Sequence, residues 1–344
     1  MAGELASPAV PTRIARGSSR RLAALRLLRR RLIQAVPLML GVVVINFVLI
    51  QLAPGSFLEL MTAENQVSDP ATIELLRKTY GLDDPVWLQL VKYIWALMQF
   101  DFGFSYRQNR PVIDAISDHL PATLLLMISS ITLALAVGVA AGVVASVKVR
   151  TFWDSLVSVA AMFFFAAPSF WLGIMLIVLF SVKLGWLPVG GMMTIGGAAG
   201  AGGIIDILHH LILPTLALGL FYAAIYTRVM RSSMLEVAQL DFVRTARAKG
   251  LSRNKVTLHH VLRNALLPVV TILGVQMGTV LAGSVVIESV FSWPGVGSLL
   301  FDSISSRNYP VVLGIMVLGS LVVIAANIAV DLVYMWLDPR IEIR

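Results

Sequence analysis

Long apolar runs separated by short polar connections dominate the chain. Six of these runs are long enough for a helix that crosses a bilayer, which takes about 20 residues. We place them near residues 32–53, 121–147, 155–181, 211–232, 266–289 and 311–336. Pro168 lies inside the third run and removes one helical hydrogen bond, so we expect a kink there. The pattern predicts an all-α polytopic membrane protein with six transmembrane helices.

The composition agrees with this prediction and narrows the chemistry. Of the 344 residues, 58% are hydrophobic and 13% are charged, whereas soluble domains carry about 25% charged residues. There are no cysteines, which excludes disulfides, thiolate zinc sites and cysteine nucleophiles. The phosphate-binding P-loop motif is absent, as are the H-E-x-x-H and G-x-S-x-G motifs. The sequence therefore offers no ATP site and none of the commoner hydrolase sites.

The positive charge is concentrated on one side of the predicted membrane. Residues 1–31, 147–154, 228–263 and 337–344 hold 20 of the 27 Lys and Arg residues, while residues 54–118 are rich in acids. By the positive-inside rule, both termini are cytoplasmic and residues 54–118 are extracytoplasmic. Topology thus accounts for the net charge of +8 without nucleic-acid binding.

Two extracytoplasmic regions have local sequence patterns that predict their structure. Pro70 and Pro85 each follow an aspartate, which predicts two short helices within residues 54–118. The second helix carries aromatic and apolar residues at helical spacing, which is typical of a helix lying on the membrane interface. The glycine-rich stretch in residues 182–210 predicts a flexible loop.

Residues 241–250, called the basic segment below, form a short polar interruption between two apolar runs. Asp241 suits a helix start and Gly250 a helix end, since glycine enters the left-handed C′ conformation without steric cost. The segment carries three cations, Arg244, Arg247 and Lys249, interleaved with small residues. We interpret it as a cytoplasmic helix that another protein binds. Anchoring to lipid headgroups is the alternative, and it would need no small residues.

Ionisable residues inside the predicted spans are few. An ion-coupled carrier keeps charges near the bilayer centre because it uses them there, and neither Glu288 nor Asp331 is clearly at that depth. Polar residues at other positions can line a passage or bond between helices. The candidate gate or pathway residues are Gln276, Glu288, Trp293, Pro294 and Asn327.

Several blocks of the sequence are similar to a known family. RTARAKGLS, HHVLRNALLPVV, VVIESVFSWPGVGSLL, RNYPVV and LVYMWLDPRI follow, in this order, the dipeptide/oligopeptide branch of ABC-importer permeases, and the N-terminal blocks resemble its B-type subunit. The basic segment resembles the cytoplasmic "EAA" loop of these permeases. Arg244, Thr245 and Ala246 stand in the place of Glu-Ala-Ala, and Gly250 in the place of the glycine that follows.

The resemblance implies a type I importer permease in the bacterial inner membrane. It implies a basic tail, a first span, an extracytoplasmic region, a core domain containing a coupling loop at 234–265, and a cytoplasmic C-terminus. The corresponding ranges are 1–31, 32–53, 54–118, 119–336 and 337–344. In this family the coupling loop contacts the ATPase. The implied coupling residues are Asp241, Phe242, Arg244, Thr245, Ala246, Arg247, Ala248, Lys249 and Gly250.

The resemblance also implies partners and a cargo. The expected partners are a second, C-type permease subunit, two ATPase subunits that bind ATP and Mg, and an extracytoplasmic substrate-binding protein. The chain itself is expected to be neither an enzyme nor a cofactor protein. Dipeptides or oligopeptides are the expected cargo, with glutathione or nickel as alternatives within the family. An ion-coupled secondary transporter and a membrane-embedded enzyme are the alternatives from other classes.

Overall fold

Ten helices and one two-stranded hairpin make up the described part of the chain. The computed structural model describes residues 15–52, 84–105, 107–194, 196 and 200–337. The helices are α1 (Ala15–Leu52), α2 (Val86–Met98), α3 (Val112–Val147), α4 (Phe152–Ala166), α5 (Ser169–Lys183), α6 (Ala201–Val237), α7 (Asp241–Ala248), α8 (Arg253–Val290), α9 (Val296–Ser305) and α10 (Tyr309–Leu337). Strands β1 (Phe104–Ser105) and β2 (Arg110–Pro111) pair antiparallel.

The membrane-spanning prediction is confirmed. Among the described residues, five helices are long and apolar enough to cross a bilayer, and α4 with α5 makes a sixth span if the bent pair counts as one. The five are α1, α3, α6, α8 and α10. Each extends beyond the apolar run that predicted it, because helical hydrogen bonding continues past the hydrocarbon layer into the headgroups and water.

The third span is broken rather than kinked. Its halves, α4 and α5, meet at an angle of 104°. Pro168 has no N–H to donate, and its ring disfavours helical dihedrals at Ala167. Both residues adopt extended backbone, with ψ of 127° and 133°. The expected disturbance at Pro168 is therefore confirmed, and the hydrogen bonds that would cross it are lost.

Helices α3 and α6 pack with their backbones close together. A Cβ atom at Gly138 would lie 2.6 Å from Cβ of Tyr226, and one at Gly142 would lie 2.6 Å from Cβ of Met230. Both partner side chains are fully buried. Lipid supplies no hydrophobic drive for helix association, so small residues are needed where helices approach closely. This seam is the centre of the largest apolar core of the described chain.

We expect Gly138→Leu to destabilise the protein by about 3 kcal/mol, because the added side chain overpacks the α3–α6 seam. Gly41→Leu is the matched control, since nothing lies within 4 Å of a Cβ atom at that helical glycine. Thermal unfolding in detergent, followed by size-exclusion chromatography, measures both variants. Equal melting temperatures for the two variants would show that the seam is not as tight as described.

The extracytoplasmic helix predicted after Pro85 is present as α2. Its outward side chains are apolar, and Trp87 and Trp95 are 66% and 62% exposed. Exposed tryptophans are typical of a helix that lies at the membrane interface. The helix predicted after Pro70 lies outside the described residues.

The predicted end of the loop 182–210 is wrong in detail. Residues 201–210, assigned to the loop 182–210, form the first turns of α6. Asp206 holds the preceding loop there, because both of its carboxylate oxygens accept hydrogen bonds from Thr194, from N at 2.6 Å and from Oγ1 at 2.9 Å. The boundary at 118/119 lies inside α3. Helix α1 begins at Ala15, ahead of the first predicted span at 32–53.

Candidate coupling site and outer loop

The basic segment forms helix α7 and the turn that ends it. Gly250 has φ of +76°, which confirms the predicted left-handed helix end. Its N–H donates to the carbonyl of Arg247 at 2.9 Å. Asp241 is the first helical residue and Leu240 takes the N-cap position without a side-chain hydrogen bond. Asp241 instead lies 3.4 Å from Nη1 of Arg244, so it does not cap the helix as predicted.

The basic segment has one face against the chain and one face free. Val243 and Ala246 are 0% and 5% exposed and lie one turn apart. The remaining residues of the segment are exposed, and they include Phe242 and the three cations. Ala246 therefore lies on the inner face, whereas the cations project into the surroundings. A helix held this firmly with its charges exposed is suited to binding a protein.

The inner face connects the basic segment to the transmembrane helices. Val243 and Ala246 belong to the same core cluster as Val256 and Val261, which lie in the π-helical turn of α8. Nη2 of Arg253, in the first turn of α8, donates to the carbonyl of Val147 at the end of α3. A displacement of the basic segment therefore acts on α8 directly and on α3 through Arg253.

A bidentate ion pair joins the cytoplasmic ends of α4 and α6. Nε and Nη2 of Arg231 donate to the two carboxylate oxygens of Asp154 at 2.7 Å and 2.9 Å. The N–H of Arg150 also donates to Asp154 at 3.0 Å, and Asp154 is 6% exposed. Sequence reasoning missed this pair, because the two residues lie far apart in the chain and neither belongs to a recognisable spacing motif.

The outer loop, residues 288–310, is fixed by a buried carboxyl group. Glu288 is fully buried. Its Oε1 accepts a hydrogen bond from Thr123 Oγ1 at 2.8 Å, and its Oε2 accepts one from the N–H of Ser298 at 3.0 Å. Ser298 lies in the first turn of α9, where free N–H groups and the helix dipole favour a negative group. Glu288 thereby joins α8, α9 and α3.

Trp293 and Thr123 complete this junction. The Trp293 ring is fully buried, and its Nε1 donates to the carbonyl of Ala122 at 2.9 Å. The hydroxyl of Thr123 accepts from the N–H of Val296 at 2.7 Å. Pro294, in contrast, is exposed. The structure therefore brings Glu288 and Trp293 together against α3.

Gln276 and Asn327 lie in α8 and α10, away from the outer loop. Both are half-buried. In the described part of the chain, Oε1 of Gln276 is buried without a hydrogen-bond partner. Of the five candidate gate residues, Glu288 and Trp293 form the buried junction, Pro294 is exposed beside it, and Gln276 and Asn327 lie elsewhere in α8 and α10.

Comparison with known proteins identifies the fold and its family. Residues 134–343 match the family described as "Binding-protein-dependent transport system inner membrane component". Residues 24–127 match the N-terminal component of the same transport systems. The chain belongs to this family. It is a permease subunit of an ABC importer and a multi-pass protein of the bacterial inner membrane.

Named relatives of the permease share most of its length. The oligopeptide transport system permease protein AppB of Bacillus subtilis is 40% identical over 91% of this chain and 98% of its own. The dipeptide transport system permease protein DppB of Escherichia coli K12 is 39% identical over 92% and 99%. The glutathione transport system permease protein GsiC of Escherichia coli O1:K1 is 41% identical over 92% and 98%.

A solved structure supports the permease fold. A chain of the MetNI methionine ABC transporter in an inward-facing conformation matches with a TM-score of 0.50 at 16% identity. The match covers 66% of this chain and 97% of the MetNI chain. Similarity at this level of identity describes the fold alone. The family assignment favours the importer hypothesis over the ion-coupled and enzymatic alternatives.

Proposed function

We propose that the permease moves dipeptides or oligopeptides into the cell and that ATPase subunits drive it through the basic segment. The observation that carries this proposal is the two-sided burial of α7. Val243 and Ala246 fix the helix to the chain, while the cations and Phe242 are exposed to a partner. A loop that served only to connect two spans would need no such arrangement.

The proposed mechanism requires the ATPases to bind two states of the permease with different affinity. Shifting a two-state equilibrium from 1:99 to 99:1 takes about 5.5 kcal/mol of differential binding. ATP-driven closure would displace the basic segment, and the contacts of Arg253 and Val243 would carry the displacement into α8 and α3. The Asp154–Arg231 pair would make α4 and α6 follow together.

The proposed assembly has five protein subunits. The permease pairs with a second, C-type permease subunit, and two ATP-binding subunits hold ATP and Mg on the cytoplasmic side. An extracytoplasmic binding protein delivers the cargo. The permease contributes the passage and the docking helix, and hydrolysis takes place in its partners.

The proposal for the cargo rests on the substrates for which the relatives are named. Two of the relatives above are named for oligopeptide or dipeptide transport and one for glutathione transport. Peptide is therefore the primary proposal, with glutathione as the alternative. Competition binding to the partner binding protein, with dipeptides, longer peptides, glutathione and a nickel chelate, decides among them. Capture of glutathione or nickel without peptides would contradict the primary proposal.

The outer loop is proposed to fix the extracytoplasmic end of the passage. Glu288 and Trp293 tie the loop to α3, and Pro294 is exposed beside them. Movement of α8 would therefore displace the loop and α3 together. Gln276 and Asn327 are proposed to provide polar contacts along the spans during passage.

We expect Gly250→Trp to abolish copurification of the ATPases. Nothing lies within 4 Å of a Cβ atom at Gly250, so the indole would project into the space that the ATPase is proposed to occupy. Gly250→Ala is the matched control, because it has the same left-handed backbone strain, about 1–2 kcal/mol, without the bulk. Affinity purification of the assembled transporter measures both. Equal ATPase recovery from the two variants would contradict docking at this site.

A further inference from the structure

Arg228 in α6 is a charged group that the coupling mechanism does not use. Its guanidinium carbon lies 4.5 Å from the centroid of the Phe165 ring in α4. In the part of the chain that the structure describes, Arg228 has no carboxylate partner, whereas Arg231, one turn away, is paired with Asp154. The Arg228 side chain is exposed. An exposed, unneutralised cation within a spanning segment is a candidate for a functional site.

Two contacts show how deep this cation lies. The Asp154–Arg231 pair joins α4 and α6 near the cytoplasmic surface, and the stacked rings of Phe165 and Phe221 join them again with centroids 5.9 Å apart. Along both helices the two contacts are separated by about 15 Å at 1.5 Å per residue. That distance is half of a hydrocarbon layer about 30 Å thick. Arg228 itself lies three residues, about 4.5 Å along α6, from Arg231, and its guanidinium extends from there to the Phe165 ring of the deeper contact.

Lipid is an unsuitable neighbour for this face of the protein. A cation in the hydrocarbon layer is costly, and the cost reaches about 2.5–3.5 kcal/mol at the bilayer centre on insertion scales. The backbone break at Ala167 and Pro168 begins two residues after Phe165 and leaves carbonyl groups without their helical partners. Such irregular backbone is tolerated at membrane depth only where it is buried in protein or lines an aqueous cavity. An open surface depression at the break is lined by apolar residues, among them Phe163, Phe170 and Trp171.

We propose that Arg228, supported by the Phe165 ring, is a subsite of the passage that binds the terminal carboxylate of the cargo. This inference rests on the proposed transport of peptides. Arginine binds a carboxylate through two parallel hydrogen bonds in the guanidinium plane, and a ring beneath that plane leaves these donors free. Every free peptide has a terminal carboxylate whatever its side chains are. A single cation of this kind therefore suits a passage that accepts varied sequences and must also release them.

The test compares a peptide with its C-terminal amide, chosen as a pair that the binding protein captures equally well. ATP-driven uptake is measured in proteoliposomes containing the complete transporter. Removing a hydrogen-bonded charge pair corresponds to at least about a tenfold change. Arg228→Met is therefore expected to lower uptake of the free peptide about tenfold and to leave uptake of the amide unchanged. Arg228→Lys, which keeps the charge but not the bidentate geometry, is expected to restore only part of the difference.

Lys148→Met is the matched control, because Lys148 also lies over an aromatic ring, 5.1 Å from the centroid of Trp153, but at the end of α3. It should leave the ratio of peptide to amide uptake unchanged. If Arg228→Met and the unaltered transporter showed the same ratio of peptide uptake to amide uptake, the proposed subsite would be ruled out. Loss of the second permease subunit from the purified complex would overturn it too, by assigning Arg228 to a partner contact. Uptake of free peptide by the unaltered transporter tests the proposed cargo separately.

Discussion

Reversing the three cations of the basic segment, in the variant Arg244→Glu/Arg247→Glu/Lys249→Glu, is expected to abolish ATP-driven uptake while leaving the permease folded. All three side chains are exposed, so their loss removes no contact with the core. Each attractive contact with a complementary surface, worth about 1 kcal/mol, would become repulsive. The affinity for the ATPase subunits should fall at least about a hundredfold. Binding of purified ATPase to the permease in nanodiscs measures this fall.

The matched control reverses two cations on the neighbouring cytoplasmic turn, Lys148→Glu/Arg150→Glu. This variant changes the charge of the same membrane face without touching the basic segment. If lipid headgroups were the partner of the basic segment, both variants would bind the ATPases normally. Normal binding by the triple variant would therefore reject the coupling proposal in favour of lipid anchoring.

Glu288→Leu is expected to destabilise the permease by about 3–5 kcal/mol. The substitution removes two hydrogen bonds to a buried carboxyl group, each worth about 1.5–3 kcal/mol. It also leaves the N–H of Ser298 and the hydroxyl of Thr123 without the acceptors seen here. Glu288→Gln should have a smaller effect, because the amide oxygen keeps one of the two hydrogen-bond acceptors that leucine loses. The melting temperature of the detergent-solubilised permease measures the series.

Asp302→Leu provides a control for the Glu288 series. Asp302 is an exposed carboxylate on α9, the same short helix that Glu288 contacts. Its replacement should change the melting temperature little. A stable Glu288→Leu variant with normal uptake would mean that the buried junction is not needed to fix the outer loop.

The sequence predicted the features that depend on local pattern. Six apolar runs predicted the spans, because a hydrocarbon layer requires about 20 apolar residues whatever the fold. Pro168 predicted a disturbance because proline lacks an N–H. Gly250 predicted a helix end because the left-handed conformation favours glycine. These predictions need no knowledge of distant residues.

The remaining features depend on contacts between distant parts of the chain. Glu288 could be identified as an ionisable residue near a span end, but its partner Thr123 lies in another helix with no matching signal in the sequence. The same holds for Asp154 and Arg231. The segment 201–210 looked like loop because of its glycines, yet tertiary packing and the bonds from Thr194 to Asp206 make it helical. Sequence periodicity also did not show that Ala246 faces the chain itself.

Arg228 illustrates a further difference between pattern and structure. Charge counting placed it with the cytoplasmic cations of residues 228–263. In the structure its guanidinium lies 4.5 Å from the centroid of the Phe165 ring in α4. Since α6 runs from the outside to the cytoplasm, its side chains tilt towards the extracytoplasmic side. The proposed subsite therefore places the charge deeper than its position along the sequence suggests.

Site-specific cross-linking tests the coupling proposal most directly. The natural chain has no cysteine, so a single introduced cysteine is the only thiol of the permease. Arg247→Cys is predicted to cross-link to an ATPase subunit, with an efficiency that changes when ATP is bound. Val243→Cys, at a buried position, should not react. Cross-linking of the ATPases through Arg150→Cys and none through Arg247→Cys would contradict the account.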